Sequence, residues 1–505
     1  MSQDKKVDGP DLRQGVPTDE ITEGGMLGGH VDDQAVLIAR VNDKLYAIGS
    51  KCTHYQGPLA EGLVVDHTVR CPWHHACFDL RTGNAIAAPA IDPVTSWVVE
   101  EQGGLAFVKA RKQDAASHRR SEKVSRRVII IGGGAGGFAA AEMLRREGFG
   151  GHLTLLSADS EAPYDRPNCS KDYLSGGAPK EWMPLRDGAF YKNNKIDLHV
   201  NAVVASFDPK RRTVSIKDGN VLSYDVLILA TGAEPQRPPI PGLDRANVFT
   251  LRTLKDADSI IAAAEKAEHA AVIGASFIGL EVAAALRQRG LDVHVIAPET
   301  IPLERIMGHE IGNWIKGVHE RKGVILHLGR KVLGYADGKV TMDHGDPIAA
   351  DLVVVGIGVK PRVDLAEAAG LKVDDGVIVD DHLKTSADDV YAAGDIARYP
   401  DPVSGHLIRV EHWVHAQRQG QYLARQILGE DKPFNDPPFF WSSHYDKTVN
   451  YSGHAMTFDR PQLQGSLVKE DAIVRFYKEP RLLAVATVGR DLANLEAERA
   501  FETKK

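Results

Sequence analysis

A glycine-rich turn between a strand and a helix is the feature that most constrains the fold of this chain. Val128–Ile131 is a run of four β-branched residues, and Gly132, Gly134 and Gly137 follow it at G-x-G-x-x-G spacing. Strong helix formers come next, so the pattern predicts a buried strand, a tight turn and a helix. The glycines permit the turn, the close approach of a pyrophosphate and tight packing of the helix on the strand. The segment therefore predicts a dinucleotide site at the positive end of a helix.

The composition excludes several classes of function. A chain of 505 residues is expected to form several domains. Its net charge of −7 and the absence of a basic block argue against a nucleic-acid partner. The polar N-terminus lacks a signal sequence and no apolar run suits a membrane span, so we expect a cytoplasmic protein. Four cysteines are too few for a secreted disulfide scaffold.

Short alternating strands fill the first hundred residues. Ala35–Val41 and Lys44–Ile48 flank one turn, and Ser96–Glu100 and Leu105–Lys109 flank another. Alternating strands joined by such turns predict β-hairpins in a small antiparallel domain.

Two loops of this region each offer one thiol and one imidazole, from Cys52 and His54 and from Cys71 and His74. Such donors serve zinc or an iron–sulfur cluster. Zinc sites usually pair like ligands, whereas one Cys and one His per loop suits a cluster with two Cys on one iron and two His on the other. The alternative is a pair of buried cysteines with incidental histidines, but four ligands at this spacing argue against chance.

At these residues the segment Ile21–Arg111 resembles the soluble Rieske [2Fe–2S] ferredoxins. Gly57–Leu59 and Phe78–Gly83, which follow the two ligand boxes, strengthen the resemblance. The additional disulfide cysteines of the cytochrome bc type are missing. His75 occupies a position that is often glycine, and we interpret it as a loop residue. We interpret Cys77 as apolar filler.

The chain beyond the first glycine turn continues as a flavin site. The strand His152–Leu156 leads to Asp159, an acid suitably placed for the adenosine ribose. Pro163–Lys171 resembles the P-Y-x-R-P-x-x-S-K stretch of two-dinucleotide flavoproteins, among them the ferredoxin reductases and apoptosis-inducing factor. The resemblance implies that Arg166 lies beside FAD and that Lys171 approaches the flavin N5 edge.

Later segments extend this resemblance. Thr231 and Gly232 match the A-T-G end of a flavin-domain strand, and Asp395 matches the ribitol-binding acid of the second flavin signature. A helix is expected from His412–Trp413 to Ile427, with Trp413 among the cofactor contacts. Trp441 belongs to an F-W-[ST] segment. Its ring is expected either to contact the flavin or to pack in the core, and the sequence favours neither.

A second strand–turn–helix motif lies between the two flavin segments. Gly274 and Gly279 keep their positions in it, and Ser276 replaces the middle glycine. One degenerate motif is weak evidence, but behind a complete flavin motif it predicts an inserted NAD domain. Glu299 follows its second strand without a nearby arginine, which favours NADH over NADPH. Gly358 is also an expected contact.

The resemblance gives a catalytic role to two charged residues. Glu281 matches a glutamate near the nicotinamide and the flavin, where it can pair with Lys171. The alternative for Glu281 is an ordinary glutamate on a helix surface. The pair would set the electrostatic environment of flavin N5 and would not act as a nucleophile.

We predict a multidomain fold that combines an all-β Rieske domain, an α/β flavoprotein with FAD and NAD domains, and an α+β domain. The predicted segments are a Rieske domain (1–111), a polar linker (112–125), the first part of the FAD domain (126–244), the NAD domain (245–366), the second part of the FAD domain (367–430) and a C-terminal domain (431–505).

The whole pattern is similar to the Rieske-containing apoptosis-inducing-factor-like flavoproteins. It implies that electrons pass from NADH through FAD to the [2Fe–2S] cluster and then to an unidentified acceptor protein or small molecule. The protein would be a monomer or a homodimer. Two alternatives remain: a reductase component that serves an oxygenase, and a redox sensor with slow turnover.

Overall fold

The computed structural model describes residues 8–112 and 126–503 of the chain. Apart from residue 112, the predicted linker lies outside the described residues. The chain divides into two compact units. The described parts of the first unit are 8–112, 146–148 and 490–503, and the second unit contains 126–145 and 149–489.

The first unit is built on two antiparallel sheets. Its strands are β1 (Val16–Pro17), β2 (Met26–Val31), β3 (Gln34–Val41), β4 (Lys44–Gly49), β5 (Leu63–Val65), β6 (Thr68–Arg70), β7 (Cys77–Asp79), β8 (Ala85–Ala87), β9 (Ser96–Gln102) and β10 (Leu105–Arg111). The larger sheet has the order β1-β10-β9-β4-β3-β2, and the smaller sheet has the order β5-β6-β7-β8. The predicted all-β domain is confirmed. Asn42 and Asp43 join β3 to β4 with φ angles of 52° and 59°, as a tight hairpin turn requires.

The last helix of the chain also belongs to the first unit. This C-terminal helix, Asp491–Thr503, buries Asn494, Leu495, Glu498 and Phe501 along one face. It contacts β5 of the smaller sheet. A segment expected within the C-terminal domain therefore packs with the first hundred residues.

The second unit holds all the remaining elements. Its strands are β11 (Arg127–Ile131), β12 (His152–Leu156), β13 (Ile196–His199), β14 (Val204–Asp208), β15 (Thr213–Ile216), β16 (Val221–Ser223), β17 (Val226–Leu229), β18 (Ala233–Pro235), β19 (Val248–Thr250), β20 (His269–Ile273), β21 (Asp292–Ala297), β22 (Ile325–Leu328), β23 (Val332–Ala336), β24 (Lys339–Met342), β25 (Ile348–Ala349), β26 (Leu352–Val355), β27 (Val359–Pro361), β28 (Val377–Ile378), β29 (Val390–Ala392), β30 (Ala397–Pro400), β31 (Leu407–Arg409), β32 (Phe439–His444), β33 (Lys447–Gly453), β34 (Gln462–Ser466), β35 (Asp471–Lys478) and β36 (Arg481–Val488). Its helices are α1 (Ala135–Arg146, which ends in the first unit), α2 (Asp172–Ser175), α3 (Gly188–Asn193), α4 (Leu254–Ala264), α5 (Phe277–Gln288), α6 (Glu304–Arg321), α7 (Asp364–Ala368) and α8 (Trp413–Ile427).

Two five-stranded parallel sheets form the frame of this unit. The first has the order β13-β12-β11-β17-β29, and the second has the order β19-β26-β20-β21-β22. Each central strand, β11 or β20, runs into a glycine turn and then a helix, as predicted. Parallel strands place their carboxyl ends on one edge, where α/β folds bind ligands. The helix predicted to end at Ile427 is α8.

A third five-stranded sheet, antiparallel with the order β32-β33-β36-β35-β34, also belongs to the second unit, which contains smaller sheets of two or three strands as well. One apolar cluster joins it to helix α5, with Leu280, Phe440 and Phe476 among its buried members. This packing positions the start of β32 against the helix that follows the second glycine turn. No helix among the described residues is long and apolar enough to cross a membrane.

Candidate functional site

The four predicted cluster ligands lie together on two loops of similar geometry. The amide of Gln56 donates to Cys52 O at 2.9 Å, and the amide of His75 donates to Cys71 O at 3.1 Å. Gln56 and His75 both adopt a φ of 61°. Each loop thus turns four residues after its cysteine, in the left-handed region that favours glycine. This geometry explains why a glycine suits the position of His75.

The side chains on these loops converge. Cys52 and Cys71 are 2 % and 1 % exposed. The Nδ1 atoms of His54 and His74 are 3.2 Å apart. Burial lowers the pKa of His54 to about 4, so its ring is neutral and keeps a lone pair for a metal. Two thiols and two imidazoles at one point fit the donor set of a Rieske [2Fe–2S] cluster.

A glycine beside the ligands tests this fit. A Cβ atom on Gly57 would lie 2.6 Å from the Cys71 sulfur, so only glycine lets the first loop approach the second. Sequence reasoning placed Gly57 in the resemblance but assigned it no function. The structure makes it the residue that allows the two loops to close around one site.

His75 is more than the loop residue that we expected. Its side chain is fully buried, and its Nδ1 atom lies 2.7 Å from Glu498 Oε2, which is also fully buried. Arg70 Nη1 lies 3.7 Å from the same carboxylate and 2.6 Å from Glu502. Both glutamates belong to the C-terminal helix. The second ligand loop and the strand before it are therefore held to the C-terminal helix by a buried hydrogen bond from His75 and by ion pairs of Arg70, which no local sequence signal indicated.

The first glycine turn of the second unit is shaped for a dinucleotide. Gly132 has a φ of 117°, and a Cβ there would lie 2.0 Å from Ala230 O. A Cβ on Gly137 would lie 1.9 Å from Gly132 O. At Gly134 nothing lies within 4 Å of the Cβ position. Two positions are closed to any side chain and the middle one faces open space, as FAD pyrophosphate binding requires.

The other predicted FAD residues lie in two contact groups. Tyr164 donates to Asp159 Oδ2 at 2.7 Å, and the Arg166 guanidinium lies 4.0 Å from that oxygen and over the Tyr164 ring. Asp395, which is 8 % exposed, accepts from Arg252 Nη2 at 2.6 Å. Arg252 also accepts from Arg166 through its carbonyl oxygen. Sequence reasoning missed Arg252, which links the two groups.

Three further predicted contacts lie near strand and helix ends. Thr231 Oγ1 donates to Arg362 O at 3.0 Å, and a Cβ on Gly232 would lie 3.3 Å from Arg252 Nη2. Trp413 is the first residue of α8, as expected. Their contacts with a cofactor remain predictions.

The second glycine turn repeats the first with one change. A Cβ on Gly274 would lie 2.5 Å from Gly356 O, and a Cβ on Gly279 would lie 2.2 Å from Gly274 O. Ser276 caps helix α5, since its Oγ accepts from the Gly279 amide at 3.1 Å and donates to Gly356 O at 2.6 Å. The serine in place of glycine therefore stabilises the turn.

The remaining predicted NAD contacts, Glu299 and Gly358, are exposed. They follow β21 and β26 at the carboxyl edge of the second parallel sheet. Their part in nucleotide binding remains a prediction.

Lys171 and Glu281 meet in a buried contact. Lys171 Nζ lies 2.8 Å from Glu281 Oε2, and Glu281 is 3 % exposed. The alternative of a surface glutamate on this helix is therefore wrong. Ser170 donates to the same oxygen at 2.6 Å, and Ser442 donates to Oε1 at 2.7 Å. Lys171 Nζ also lies 5.8 Å from the centre of the Trp441 ring. The sequence motifs included both serines, but sequence reasoning assigned neither of them a contact with Glu281.

Comparison with known families identifies both units. Residues 126–420 match the family described as pyridine nucleotide-disulphide oxidoreductase. Residues 15–98 match the Rieske [2Fe-2S] domain. The first match covers the two parallel sheets of the second unit, and the second match covers most of the first unit, including both cluster loops.

Curated relatives agree with these matches. Apoptosis-inducing factor 3 of Mus musculus is 32 % identical over 90 % of this chain and 78 % of its own length. Rhodocoxin reductase of Rhodococcus erythropolis is 36 % identical over 72 % of this chain and 87 % of its own length. Among solved structures, the covalent putidaredoxin reductase–putidaredoxin complex matches with a TM-score of 0.72 and 31 % identity, over 75 % of this chain and 94 % of the matched chain.

Proposed function

The chain belongs to the pyridine nucleotide-disulphide oxidoreductase family with a Rieske [2Fe–2S] domain before it, and from this we propose an electron route that ends at an external acceptor. The protein is an FAD-dependent NAD(P)H oxidoreductase whose cofactors are FAD and a [2Fe–2S] cluster. Electrons enter from NADH, pass through FAD and reach the cluster. One observation carries the proposal: two dinucleotide turns and a Cys₂His₂ site occur in one chain.

Each cofactor is assigned its own set of residues. Gly132, Gly134 and Gly137 would hold the FAD pyrophosphate at the start of α1. Cys52, Cys71, His54 and His74 would hold the cluster. When bound, FAD accepts a hydride and releases electrons singly, which suits a cluster that takes one electron at a time.

Lys171 and Glu281 act electrostatically in this proposal. The Lys171 ammonium is held by a buried carboxylate, so it presents a fixed positive charge toward the flavin edge at no cost of reorganisation. Glu281 in turn is held by two serine hydroxyls and cannot swing away. The Trp441 ring, whose centre lies 5.8 Å from Lys171 Nζ, limits the space beside the ammonium group.

Removal of the Lys171 charge tests this role. We expect Lys171→Met to slow flavin reduction by NADH about 10²-fold, the usual effect of losing one preorganised electrostatic group. Lys180→Met removes a lysine that pairs with Asp258 at the surface, and it should leave the rate unchanged. Anaerobic stopped-flow absorbance measures both rates. Equal rates in the two variants would remove Lys171 from the mechanism.

The acceptor is proposed to take electrons at the cluster loops. Tyr55 and Trp73, which lie within or beside the ligand boxes, are each 41 % exposed. Exposed aromatic side chains of this kind are enriched where proteins dock. Relatives named as rhodocoxin or rubredoxin reductases support a small electron-transfer protein as the acceptor. None of the four cysteines forms a disulfide, which suits a reducing compartment such as the cytoplasm, and we propose a monomer or a homodimer.

A redox sensor is the second candidate. The similarity to apoptosis-inducing factor 3 covers 90 % of the chain, while the reductase relatives cover 72 % or less. In this case reduction by NADH would change the state of the protein, and turnover would be slow.

A visible spectrum and stopped-flow kinetics separate the two candidates. Flavin and cluster bands in the purified protein would show both cofactors. NADH should bleach the flavin first and the cluster next, with rapid turnover once an artificial acceptor is added. A long-lived flavin–NAD⁺ charge-transfer band with negligible turnover would support the sensor and contradict the enzyme.

A further inference from the structure

A line of buried hydrogen bonds begins at Glu281 Oε1, the carboxylate oxygen that Lys171 does not contact. Ser442 Oγ lies 2.7 Å from Glu281 Oε1 and 3.2 Å from His444 Nε2. His444 Nδ1 lies 3.2 Å from His319 Nε2. The three side chains come from β32 and α6, and none is more than 1 % exposed. Three polar groups of this kind are costly to bury unless each is hydrogen-bonded.

The hydrogen positions along this line follow from donor and acceptor counts. An ionised Glu281 can only accept, so the single hydrogen of Ser442 points to the carboxylate. His444 must then donate to Ser442 through Nε2, which leaves its Nδ1 as an acceptor. His319 therefore donates through Nε2 and keeps a lone pair on Nδ1. Every hydrogen in the line points toward Glu281.

Both histidines are neutral, as this arrangement requires. Burial and the nearby Lys171 charge lower the pKa of His444 to about 3. Burial and His444 hold the pKa of His319 well below its usual value. Neutral imidazoles that both donate and accept are the side chains best suited to pass a proton along a hydrogen-bonded line.

The far end of the line approaches the protein surface. His319 Nδ1 is buried and has no hydrogen-bond partner among the described residues. The His319 ring centre lies 5.5 Å from that of Tyr445. Tyr445 lines a surface depression of about 450 Å³ together with Arg287, Lys322 and Asp446. The Tyr445 ring therefore contacts the His319 ring and also lines this depression.

We propose that Ser442, His444 and His319 form a proton relay that carries one proton between this depression and Glu281. A proton that arrives at His319 Nδ1 displaces the Nε2 hydrogen to His444, the next hydrogen to Ser442 and the last to Glu281. After this transfer every hydrogen in the line points outward, so the line is ready to return one proton.

The relay would balance charge during the reaction of NADH with the flavin. This inference therefore rests on the proposed function. A bound FAD would supply hydride acceptance, and a hydride brings two electrons and one proton, so the site would gain one negative charge as NAD⁺ forms. One solvent proton passed to Glu281 would neutralise that carboxylate and leave the Lys171 cation to compensate the added charge. The two electrons would leave one at a time through the cluster to the acceptor. The relay would then return its proton to the depression, and the proton of the hydride would pass from the flavin site to solvent without using the relay.

The rate of proton uptake during flavin reduction tests the relay. A relay changes how fast a proton arrives and leaves the equilibrium potential unchanged, so the measurement is kinetic. The full chain with FAD and cluster is mixed anaerobically with NADH and a pH-indicator dye in a stopped-flow instrument. We expect the wild type to take up one proton in step with flavin reduction, and Ser442→Ala and His319→Gln each to take it up about 10²-fold more slowly. The double variant should equal either single variant, because any one break interrupts a series.

The controls separate this inference from the proposed function. His294→Gln changes another paired histidine of the second unit, outside the relay, and should keep the wild-type rate of proton uptake. His319 does not touch Glu281, so a role limited to supporting the carboxylate would leave His319→Gln unchanged. If His319→Gln does not bind FAD, the same measurement on Ser442→Ala tests the relay instead. Proton uptake as fast as in the wild type in the folded variants overturns the relay, whereas absence of flavin reduction by NADH overturns the proposed function alone.

Discussion

Cys71→Ala is expected to abolish the [2Fe–2S] absorption bands while the FAD spectrum and the reduction of flavin by NADH persist. The reason is that Cys71 supplies one of four ligands on a loop of the first unit, whereas the FAD turn lies in the second unit. Loss of a group that merely orients a ligand already costs about 10–100-fold in metal affinity, so loss of the ligand itself should cost more. Turnover with an acceptor that draws electrons from the cluster should fall by at least that factor.

Cys77→Ala provides the matched control for this experiment. Cys77 is buried close to the same loop, with 7 % of its surface exposed, but it is not a predicted ligand. Its replacement should leave the absorption bands and turnover intact. A Cys71→Ala protein that keeps full turnover with the acceptor would show that the cluster is not an obligatory relay.

Glu498→Ala is expected to produce the largest loss of stability in the first unit. The substitution leaves Arg70 and His75 without the buried carboxylate that both contact. Breaking a buried ion pair by removing one partner costs about 3–5 kcal/mol. The free energy of unfolding, followed by loss of cluster absorbance in denaturant, should fall by that amount. The bands should also bleach earlier than the flavin is released.

Glu496→Ala is the control on the same helix. Glu496 is exposed, so its removal should change stability by no more than about 0.5 kcal/mol. If the two variants have the same free energy of unfolding, the contact between the helix and the ligand loop does not stabilise the first unit. A fragment limited to residues 1–111 lacks the helix and should behave like Glu498→Ala or worse.

Local patterns were sufficient for the two glycine turns and the two ligand boxes. In each, the residues that cooperate lie within about twenty positions, so spacing alone restricts the geometry. Strand bounds such as His152–Leu156 and the helix that ends at Ile427 follow from the same short-range periodicity. Asn42–Asp43 is a further example, because a tight hairpin turn needs the left-handed backbone that these residues tolerate.

Contacts between distant segments were not predictable in the same way. Arg252 meets Asp395 across 143 positions, and Ser442 meets Glu281 across 161. A hydrogen bond needs only two polar atoms at the right distance, and the chain contains many serines and arginines that satisfy the chemistry. The packing of β32 against α5 selects one of them. No spacing rule encodes that choice.

The sequence by itself determined which cofactors this protein binds, because a pyrophosphate and an iron pair are recognised by short segments of backbone and side chain. The tertiary structure decided what supports those segments. His75 and Glu498 are 423 positions apart, yet they share a buried contact. The apolar face of the C-terminal helix predicts that this face is buried, but amphipathicity does not indicate which surface it packs against. That helix packs beside the cluster loops only in the complete fold, because all elements must bury their apolar faces simultaneously.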